Sequence, residues 1–325
     1  HPPHDCQHDS DCARSSALGA SSEHRTPILI TSSAPTHSDM TWWTVLLSGA
    51  GLVLVTVILL VIFQHRLIYH PRPYSGAYYD RQSALVEVLS HQTSSGVQTA
   101  YLMRTSEDEH VSLVWIVFGG NAMLALDWVE ILGSFDGAGI TFLLVDYPGY
   151  GTSQGRPTPA SIYEASLSVV DTYLEAFSEG EQRPMLGILG HSLGCAAALQ
   201  LAAARQVDRI LLSSPFTSTM DLARLMVGGW AVPLLRHRFD NLARMRDVLA
   251  TEHPPEIHIL HSTMDELIPV GMGQILASLD EGIHYHEDPS SGHNTILEVC
   301  RDAIFSRLIV DQHTESTRAD RSAKN

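Results

Sequence analysis

The sequence predicts an α/β fold in which a mostly parallel central sheet is covered by helices on both faces. Two observations carry this prediction. Short, continuously apolar runs occur at residues 111–118, 140–145 and 186–189, and helical patterns such as 160–177 alternate with them. Strands that are apolar on both sides must be buried on both sides, which is typical of parallel sheets flanked by helices.

The expected elements follow a linker that contains Pro71 and Pro73. Apolar runs predict strands at residues 84–89, 97–102, 111–118, 140–145, 186–189, 210–212, 257–260 and 283–285. Helical periodicity predicts helices at residues 122–132, 160–177, 193–204 and 295–309. We expect residues 66–310 to form this domain and residues 311–325 to be a polar tail.

Composition limits the function classes. The chain has 325 residues and 44% of them are hydrophobic, which is enough for one large core. The formal net charge of −16 offers no basic patch for phosphates, so we expect no nucleic-acid partner. Cys6 and Cys12 lie among several histidines, but their spacing matches no common zinc pattern. We therefore predict no metal site.

An uncharged, apolar run covers residues 44–63. About 20 such residues cross the bilayer core as a helix. Trp42, Trp43 and Tyr69 flank the run, as aromatic residues often do at a membrane surface. A cleaved signal peptide would need a basic start and a small-residue cleavage site, and neither is present. We predict an uncleaved transmembrane anchor over residues 40–65.

The residues on either side of the anchor bear on the N-terminal extension and on the orientation of the protein in the membrane. Met40 directly precedes the apolar run, so we expect residues 1–39 to be a disordered extension or an upstream segment that the working protein lacks. Basic residues are more frequent after the run than before it: Arg66, Arg72 and Arg81 against Arg25. The positive-inside rule then predicts a single-pass membrane protein with its main domain in the cytoplasm.

The nucleophile candidate is Ser192, within the run 190–194 (GHSLG). A strand pattern precedes this run and a helix pattern follows it, which is the context that a Gly-x-Ser-x-Gly nucleophile requires. Gly190 and Gly194 leave room for a sharp turn. The helix start beside the serine favours developing negative charge. The alternative is an ordinary strand–helix turn that carries a serine by chance.

A serine nucleophile needs a base and an acid that orients the base, and in this context the chain order is serine, acid, histidine. Asp265 follows the strand 257–260 through a turn and precedes a predicted helix, so it is the acid candidate. It could instead be a helix cap, and Glu266 is its neighbour and competitor. His293 lies in a glycine-containing loop after the last strand and is the candidate base.

The oxyanion of a tetrahedral intermediate needs backbone N–H donors. Leu193 directly follows the candidate nucleophile and is one expected donor. Asn121 follows the paired glycines after the strand 111–118 and is the other. The alternative for that loop is a plain glycine-rich turn.

Six runs in this order resemble the α/β-hydrolase-domain proteins with one N-terminal membrane helix: 118–122 (FGGNA), 146–153 (DYPGYGTS), 190–194 (GHSLG), 214–218 (SPFTS), 265–269 (DELIP) and 292–293 (GH). The resemblance covers residues 67–308. It implies the α/β-hydrolase fold, a Ser192–Asp265–His293 triad and no cofactor. Relatives include esterases, lipases, thioesterases and peptidases, so the substrate stays open. One departure is the Phe-Gly-Gly where many relatives have His-Gly.

Residues 216–255 are expected to hold a short lid. Its apolar stretch 226–235 could line an acyl pocket or could simply pack as a helix. The preferred hypothesis is a serine hydrolase that cleaves a carboxylic ester or thioester of an apolar small-molecule or lipid acyl group through an acyl-enzyme. A serine peptidase or amidase is the rival within catalysis. A non-catalytic membrane scaffold on a hydrolase fold is the rival outside it.

Overall fold

The computed structural model describes residues 37–105, 111–175 and 183–309, with side chains from Thr41 onward. The predictions for most of the N-terminal extension and for the tail 311–325 therefore lie outside the described residues. By internal contacts the chain divides into His1–Leu54 and Val55–Asn325. The described part of the first unit is helical, and the second unit contains the whole sheet.

The first helix, α1, runs from His37 to Ile68. Within it, Thr41–Ile68 is long and apolar enough to cross a membrane by length and composition, and it is the one such helix among the described residues. The apolar run predicted an anchor over residues 40–65. The helix is longer at both ends, because it begins at His37 and ends at Ile68. Leu, Val and Ile cover every side of its middle, as they do in helices surrounded by lipid.

One sheet contains the eight described strands: β1 Glu87–Thr93, β2 Gly96–Arg104, β3 Leu113–Phe118, β4 Ile140–Val145, β5 Met185–His191, β6 Arg209–Ser213, β7 Glu256–Ser262 and β8 His284–Asp288. Their order is β1-β2-β4-β3-β5-β6-β7-β8. β2 is antiparallel to both of its neighbours, and every other pairing is parallel. The predicted mostly parallel sheet is confirmed.

Helices cover both faces of this sheet. They are α2 Gly76–Ser83, α3 Asp127–Leu132, α4 Pro159–Leu174, α5 Leu193–Ala202, α6 Thr219–Met226, a 3-10 helix Gly229–Leu234, α7 Asn241–Leu249, α8 Val270–Ala277, α9 Ile296–Val299 and α10 Arg301–Leu308. Strand β3 illustrates the two apolar layers between the sheet and its helices. Ile116 and Phe118 pack in the apolar cluster on one face, and Trp115 and Val117 pack in the cluster on the other. Each face of the strand is therefore buried.

Several predicted bounds were wrong, and four of them have a clear physical reason or consequence. The strand expected at 84–89 begins at Glu87, because β1 is a partly exposed edge strand without a continuous apolar pattern. The helix expected from 122 begins at Asp127, since Ala122 has a positive φ of 65°. The helix expected directly after Asp265 begins only at Val270. The closing helix is broken at Cys300 into α9 and α10.

Candidate active site

The candidate nucleophile lies on the sharp turn between β5 and α5. Ser192 has φ 54° and ψ −115°, a region that non-glycine residues avoid. Such strain costs about 1–3 kcal/mol and is commonly found at functional sites. The Ser192 N–H donates to the carbonyl of Ser213 on β6 at 2.9 Å, which holds the turn in place. The turn thus presents the serine side chain at the carboxyl end of the sheet.

Two glycines make this turn sterically feasible. A Cβ on Gly190 would lie 2.6 Å from the carbonyl oxygen of Gly194. A Cβ on Gly194 would collide with the carbonyl oxygen of Phe118 at the end of β3. Any side chain at either position would push α5 away from the sheet. Both glycines of the motif are therefore required, because neighbouring backbone atoms lie too close for a side chain.

The structure brings the three predicted triad residues together. His293 Nε2 lies 2.9 Å from Ser192 Oγ, and His293 Nδ1 lies 2.7 Å from Asp265 Oδ2. The Asp265 side chain is fully buried and that of His293 is 4% exposed. With Nδ1–H donating to the carboxylate, Nε2 is left to accept the serine proton. The competing Glu266 instead accepts the backbone N–H of His293 at 3.0 Å.

The carboxylate of Asp265 is held by four donors. Oδ1 accepts the backbone N–H groups of Leu267 at 3.0 Å and Ile268 at 2.7 Å. Oδ2 faces His293 and also His261 Nε2 at 3.3 Å. Burial alone would raise the pKa of Asp265, but the hydrogen bonds from His261, His293 and Ile268 outweigh it and hold the pKa well below its usual range. The acid therefore stays ionised.

His261 is a site residue that the sequence reasoning missed. It lies on β7, fully buried, and its Nε2 is also 3.0 Å from the carbonyl of Ile268. A Cβ on Gly273 of α8 would collide with its ring, so that glycine makes room for the histidine. A histidine at a strand end, four residues before the acid, was the available signal.

His191, beside the nucleophile, is buried with its ring centroid 5.2 Å from that of His293. Its Nδ1 lies 3.3 Å from the hydroxyl of Ser213. Burial, followed by the nearby His293, lowers the pKa of His191 to about 3. Because it is neutral near pH 7, it adds no second positive charge beside His293.

The loop that carries His293 is fixed from both strands that end beside it. The Ser262 hydroxyl of β7 donates to the carbonyl of Ser291. Asp288 of β8 accepts the N–H groups of Ser290 at 3.1 Å and Ser291 at 2.6 Å. These bonds place the imidazole at the serine.

The predicted oxyanion loop borders the serine. A Cβ on Gly120 would lie 3.4 Å from the Cβ of Ser192. Leu193 is the first residue of α5, where backbone N–H groups point out of the helix start. The Asn121 side chain is engaged elsewhere, since its amide nitrogen donates to the carbonyl of Ile68 at 2.7 Å. The roles of the Leu193 and Asn121 N–H groups stay predictions.

Another group of ionisable side chains lies at the opposite end of β7. Ligand atoms of Glu256, His258 and His284 lie within 4.8 Å of one another, which is close enough to hold a metal ion. The Arg209 guanidinium, however, lies 2.5 Å from the Glu256 carboxylate. This fixed positive charge opposes a cation at that point.

The lid is short, as expected. It consists of α6, the 3-10 helix and the turn before α7, and its Ser218 pairs with Asp240 in an isolated β-bridge. The inward side of α6 places Leu222 against the core. Met226 and Trp230, in contrast, are exposed.

The chain is similar to known proteins along most of its sheet domain. The alpha/beta hydrolase family model matches residues 115–311. Protein Rv2307c of Mycobacterium tuberculosis, described as uncharacterized, is 28% identical over 234 residues, which cover 71% of this chain and 80% of that protein. Alpha/beta hydrolase domain-containing protein 17B of Homo sapiens is 26% identical over 205 residues, which cover 61% of this chain and 66% of that protein.

Solved structures share the fold at low identity. An esterase from Pyrococcus furiosus superimposes with a TM-score of 0.56 at 14% identity, over 74% of this chain and 95% of its own. An acylaminoacyl peptidase from Pyrococcus horikoshii gives 0.54 at 10% identity, over 69% of this chain and 40% of its own. With a family match over more than half of its length, the chain belongs to the alpha/beta hydrolase family.

Proposed function

We propose that this hydrolase is a serine esterase or thioesterase that acts on an apolar acyl group through an acyl-enzyme. The observation that carries the proposal is the chain of contacts from Ser192 Oγ through His293 to Asp265, built on a strained turn. A serine hydroxyl is a poor nucleophile until a base removes its proton, and the base needs a fixed orientation. Both requirements are met by these distances.

The proposed reaction has two halves. His293 Nε2 takes the proton of Ser192 Oγ while that oxygen attacks the carbonyl carbon of the ester or thioester. The N–H groups of Leu193 and Asn121 stabilise the oxyanion, and His293 returns the proton to the departing alcohol or thiol. Water then attacks the acyl-enzyme with His293 again as base. The bond between the acyl carbon and Ser192 Oγ breaks, His293 returns the proton to Oγ, and the carboxylic acid leaves.

The ionised Asp265 acts on the imidazole and not on the substrate. It holds the Nδ1–H tautomer and stabilises the imidazolium that forms in each half-reaction. Because its pKa is held well below the usual range, it stays ionised at neutral pH. The buried, neutral His191 avoids repulsion with that imidazolium.

We place this enzyme at a membrane. The apolar helix Thr41–Ile68 is the anchor in this proposal, and the basic residues that follow the span favour a cytoplasmic domain. An enzyme held at a bilayer meets acyl chains there. Met226 and Trp230 in the lid are exposed and, like an acyl chain, apolar. These features support a lipid or other apolar acyl substrate.

The deciding experiment is labelling of the full chain by a fluorophosphonate probe, with Ser192→Ala as the test variant. The exposed Ser306 of α10 supplies the matched control, Ser306→Ala. We expect wild type and Ser306→Ala to be labelled and Ser192→Ala to remain unlabelled. An unlabelled wild type would overturn the enzyme mechanism and favour a non-catalytic scaffold.

A substrate panel tests the class of bond. Acyl esters and acyl thioesters of short and long chain length are compared with aminoacyl amides at equal concentration. Hydrolysis of the esters or thioesters above the amides supports the proposal. Turnover of the amides alone would make the protein a peptidase or amidase.

A further inference from the structure

The lid carries a cluster of large apolar side chains that face solvent. Their exposed fractions are 61% for Leu225, 76% for Met226, 49% for Val227 and 53% for Trp230. They are consecutive or nearly so, at the end of α6 and the start of the 3-10 helix. Contiguous exposed apolar side chains usually mark a surface that is covered in use. We refer to these four residues as the lid patch.

Packing of the lid against its own domain does not account for the lid patch. Leu222, on the other side of α6, already packs against the core. Phe239, where the lid returns to the domain, is 2% exposed. One set of apolar residues therefore packs the lid against its domain, and a second set faces solvent.

The lid is tied directly to the end of α1. The buried Gln64 donates through Nε2 to the carbonyl of Leu234 at 2.6 Å and accepts the N–H of Arg236 through Oε1 at 2.8 Å. The ring of Tyr69 meets that of His237 edge-on, with centroids 5.3 Å apart. The end of the 3-10 helix is thus fixed to the last turns of the apolar helix.

The position of Gln64 sets the depth of these contacts. The uncharged run 44–63 ends immediately before it. At about 1.5 Å per residue, a run of about 20 residues matches the roughly 30 Å hydrocarbon core of a bilayer. Gln64 therefore lies where hydrocarbon gives way to headgroups, and the lid backbone bonded to it lies at the same level.

The positively charged side chains around Gln64 and the end of the lid are suited to a membrane surface. The chain as a whole has a formal net charge of −16, yet three exposed arginines lie next to these contacts: Arg66, Arg236 and Arg238. The exposed Asp240 that follows them caps α7 by accepting the N–H of Ala243. Within α6, Asp221 is already paired with Arg224 at 2.6 Å. Arginines at the headgroup level, beside exposed apolar side chains, are typical of surfaces that bind anionic lipid.

The end of α1 also reaches the candidate oxyanion loop. Asn121 accepts the backbone N–H of His70 at 2.9 Å and donates to the carbonyl of Ile68 at 2.7 Å. Tyr150 donates its hydroxyl to the same Asn121 oxygen at 2.9 Å. One short segment after the span is therefore fixed to the lid and to the loop beside Ser192.

We infer that the lid patch docks on the lipid bilayer that α1 spans, so that an acyl chain enters the site from the membrane and not from the aqueous side. The inference rests on the proposed function for its substrate and adds a route and a surface to it. The occupant of the patch is lipid. A second copy of the chain is the competing occupant.

The first test measures lipid contact without any substrate. The full chain is reconstituted in vesicles of phosphatidylcholine and phosphatidylglycerol, with or without bromine on the acyl chains. The difference in fluorescence between wild type and Trp230→Phe isolates Trp230. We expect bromolipid to quench about half or more of that difference signal. A Trp230 signal that bromolipid leaves unchanged would overturn the inference.

The second test compares two substrates in the same vesicles: a long-chain ester embedded in the bilayer and a water-soluble short-chain ester. Met226→Asp should slow the embedded ester about tenfold, because burying a Met side chain contributes on the order of a tenfold factor or more. The water-soluble ester should be cleaved at the wild-type rate. Leu85→Asp, at a 65% exposed position outside the lid, is the matched control for both substrates.

The outcomes separate the two proposals. If neither ester is cleaved by wild type, the proposed function fails, while Trp230 quenching still decides the docking. If Met226→Asp slows both esters equally or neither of them, the docking route is wrong. Wild-type dimers in the vesicles that Met226→Asp dissociates would assign the patch to a second copy and overturn the lipid assignment.

Discussion

A histidine–carboxylate pair lies at each end of strand β7, and only one of the two pairs lies in the candidate active site. At its start, His258 Nε2 lies 2.8 Å from Glu256 Oε1. Beyond its end, Asp265 Oδ2 lies 2.7 Å from His293 Nδ1 and 3.3 Å from His261 Nε2. Residue types and distances are similar, so neither of them distinguishes a catalytic pair from a structural one.

The two pairs differ in what surrounds the carboxylate. Glu256 is 34% exposed and is bound by the Arg209 guanidinium. Asp265 is fully buried and receives backbone and imidazole hydrogen bonds without a permanent cation. An arginine neutralises a carboxylate permanently, whereas the negative charge of Asp265 is balanced by hydrogen bonds alone.

They also differ in what the imidazole meets next. The ring of His258 stacks on that of His284, with centroids 4.7 Å apart. His293 meets the hydroxyl of Ser192, held on a strained turn at the carboxyl end of the parallel strands. In open α/β sheets the ligand crevice lies at that end. The two pairs therefore differ in the third group that the imidazole contacts and in the end of the sheet at which they lie.

Removal of the base should show the largest difference between the pairs. We expect His293→Ala to lower kcat for a short-chain ester by roughly 10⁶-fold, because the serine loses its proton acceptor. His258→Ala should stay within about twofold of wild type, because His258 contacts Glu256 and His284 at the opposite end of β7 from the triad. Steady-state hydrolysis at pH 7 measures both. Equal losses in the two variants would contradict the distinction.

Neutralising the acids gives the next largest effect. Asp265→Asn should lower kcat by roughly 10⁴-fold, because an amide donor in place of the carboxylate favours the wrong imidazole tautomer. Glu256→Gln is the matched change at the other pair and should leave kcat unchanged. Circular dichroism of each variant verifies that the fold is retained. An active Asp265→Asn enzyme would remove Asp265 from the mechanism.

How far the sequence predicts these features depends on how local each one is. The sharp turn at Ser192 was predictable because Gly190, Ser192 and Gly194 stand within one short run between a strand pattern and a helix pattern. The bounds of β1 were not, because an edge strand mixes polar and apolar residues. The apolar runs of β3, β4 and β5 indicated the parallel core well, since strands buried on both faces leave little ambiguity.

The positions of Asp265 and His293 were predictable from chain order, but the role of His261 was not. Its contact with Asp265 depends on where the turn after β7 sends the acid, and on the space that Gly273 leaves in α8. Neither is visible in a linear pattern. The opposite pair, Glu256 and His258, was equally hidden because its third partner, His284, comes from the next strand.

Replacing His261, the second histidine beside Asp265, should have a smaller effect on kcat. His261→Phe keeps a ring in the buried space but removes an N–H that faces Asp265, so we expect a roughly tenfold loss in kcat with little change in KM. Losing that donor should also raise the pKa of Asp265. Steady-state kcat and KM measure the effect, with His258→Phe as the control. A kcat equal to that of wild type would reduce His261 to a packing role.

The smallest expected effect concerns stability at the other end of β7. The hydrogen bond from His258 and the charge of Arg209 outweigh burial and lower the pKa of Glu256 from 4.5 to about 2. A carboxylate with a lowered folded-state pKa stabilises the fold above its unfolded pKa. That stability is lost as the pH falls from about 4.5 towards about 2. Because Glu256 is about one third exposed, solvent limits the contribution to about 1 kcal/mol or less.

Urea unfolding should therefore show Glu256→Gln slightly less stable than wild type at pH 7, with the difference shrinking towards pH 3. A difference that grows on acidification would show that the carboxylate is not held ionised by His258 and Arg209, and the contrast with Asp265 would then need another cause.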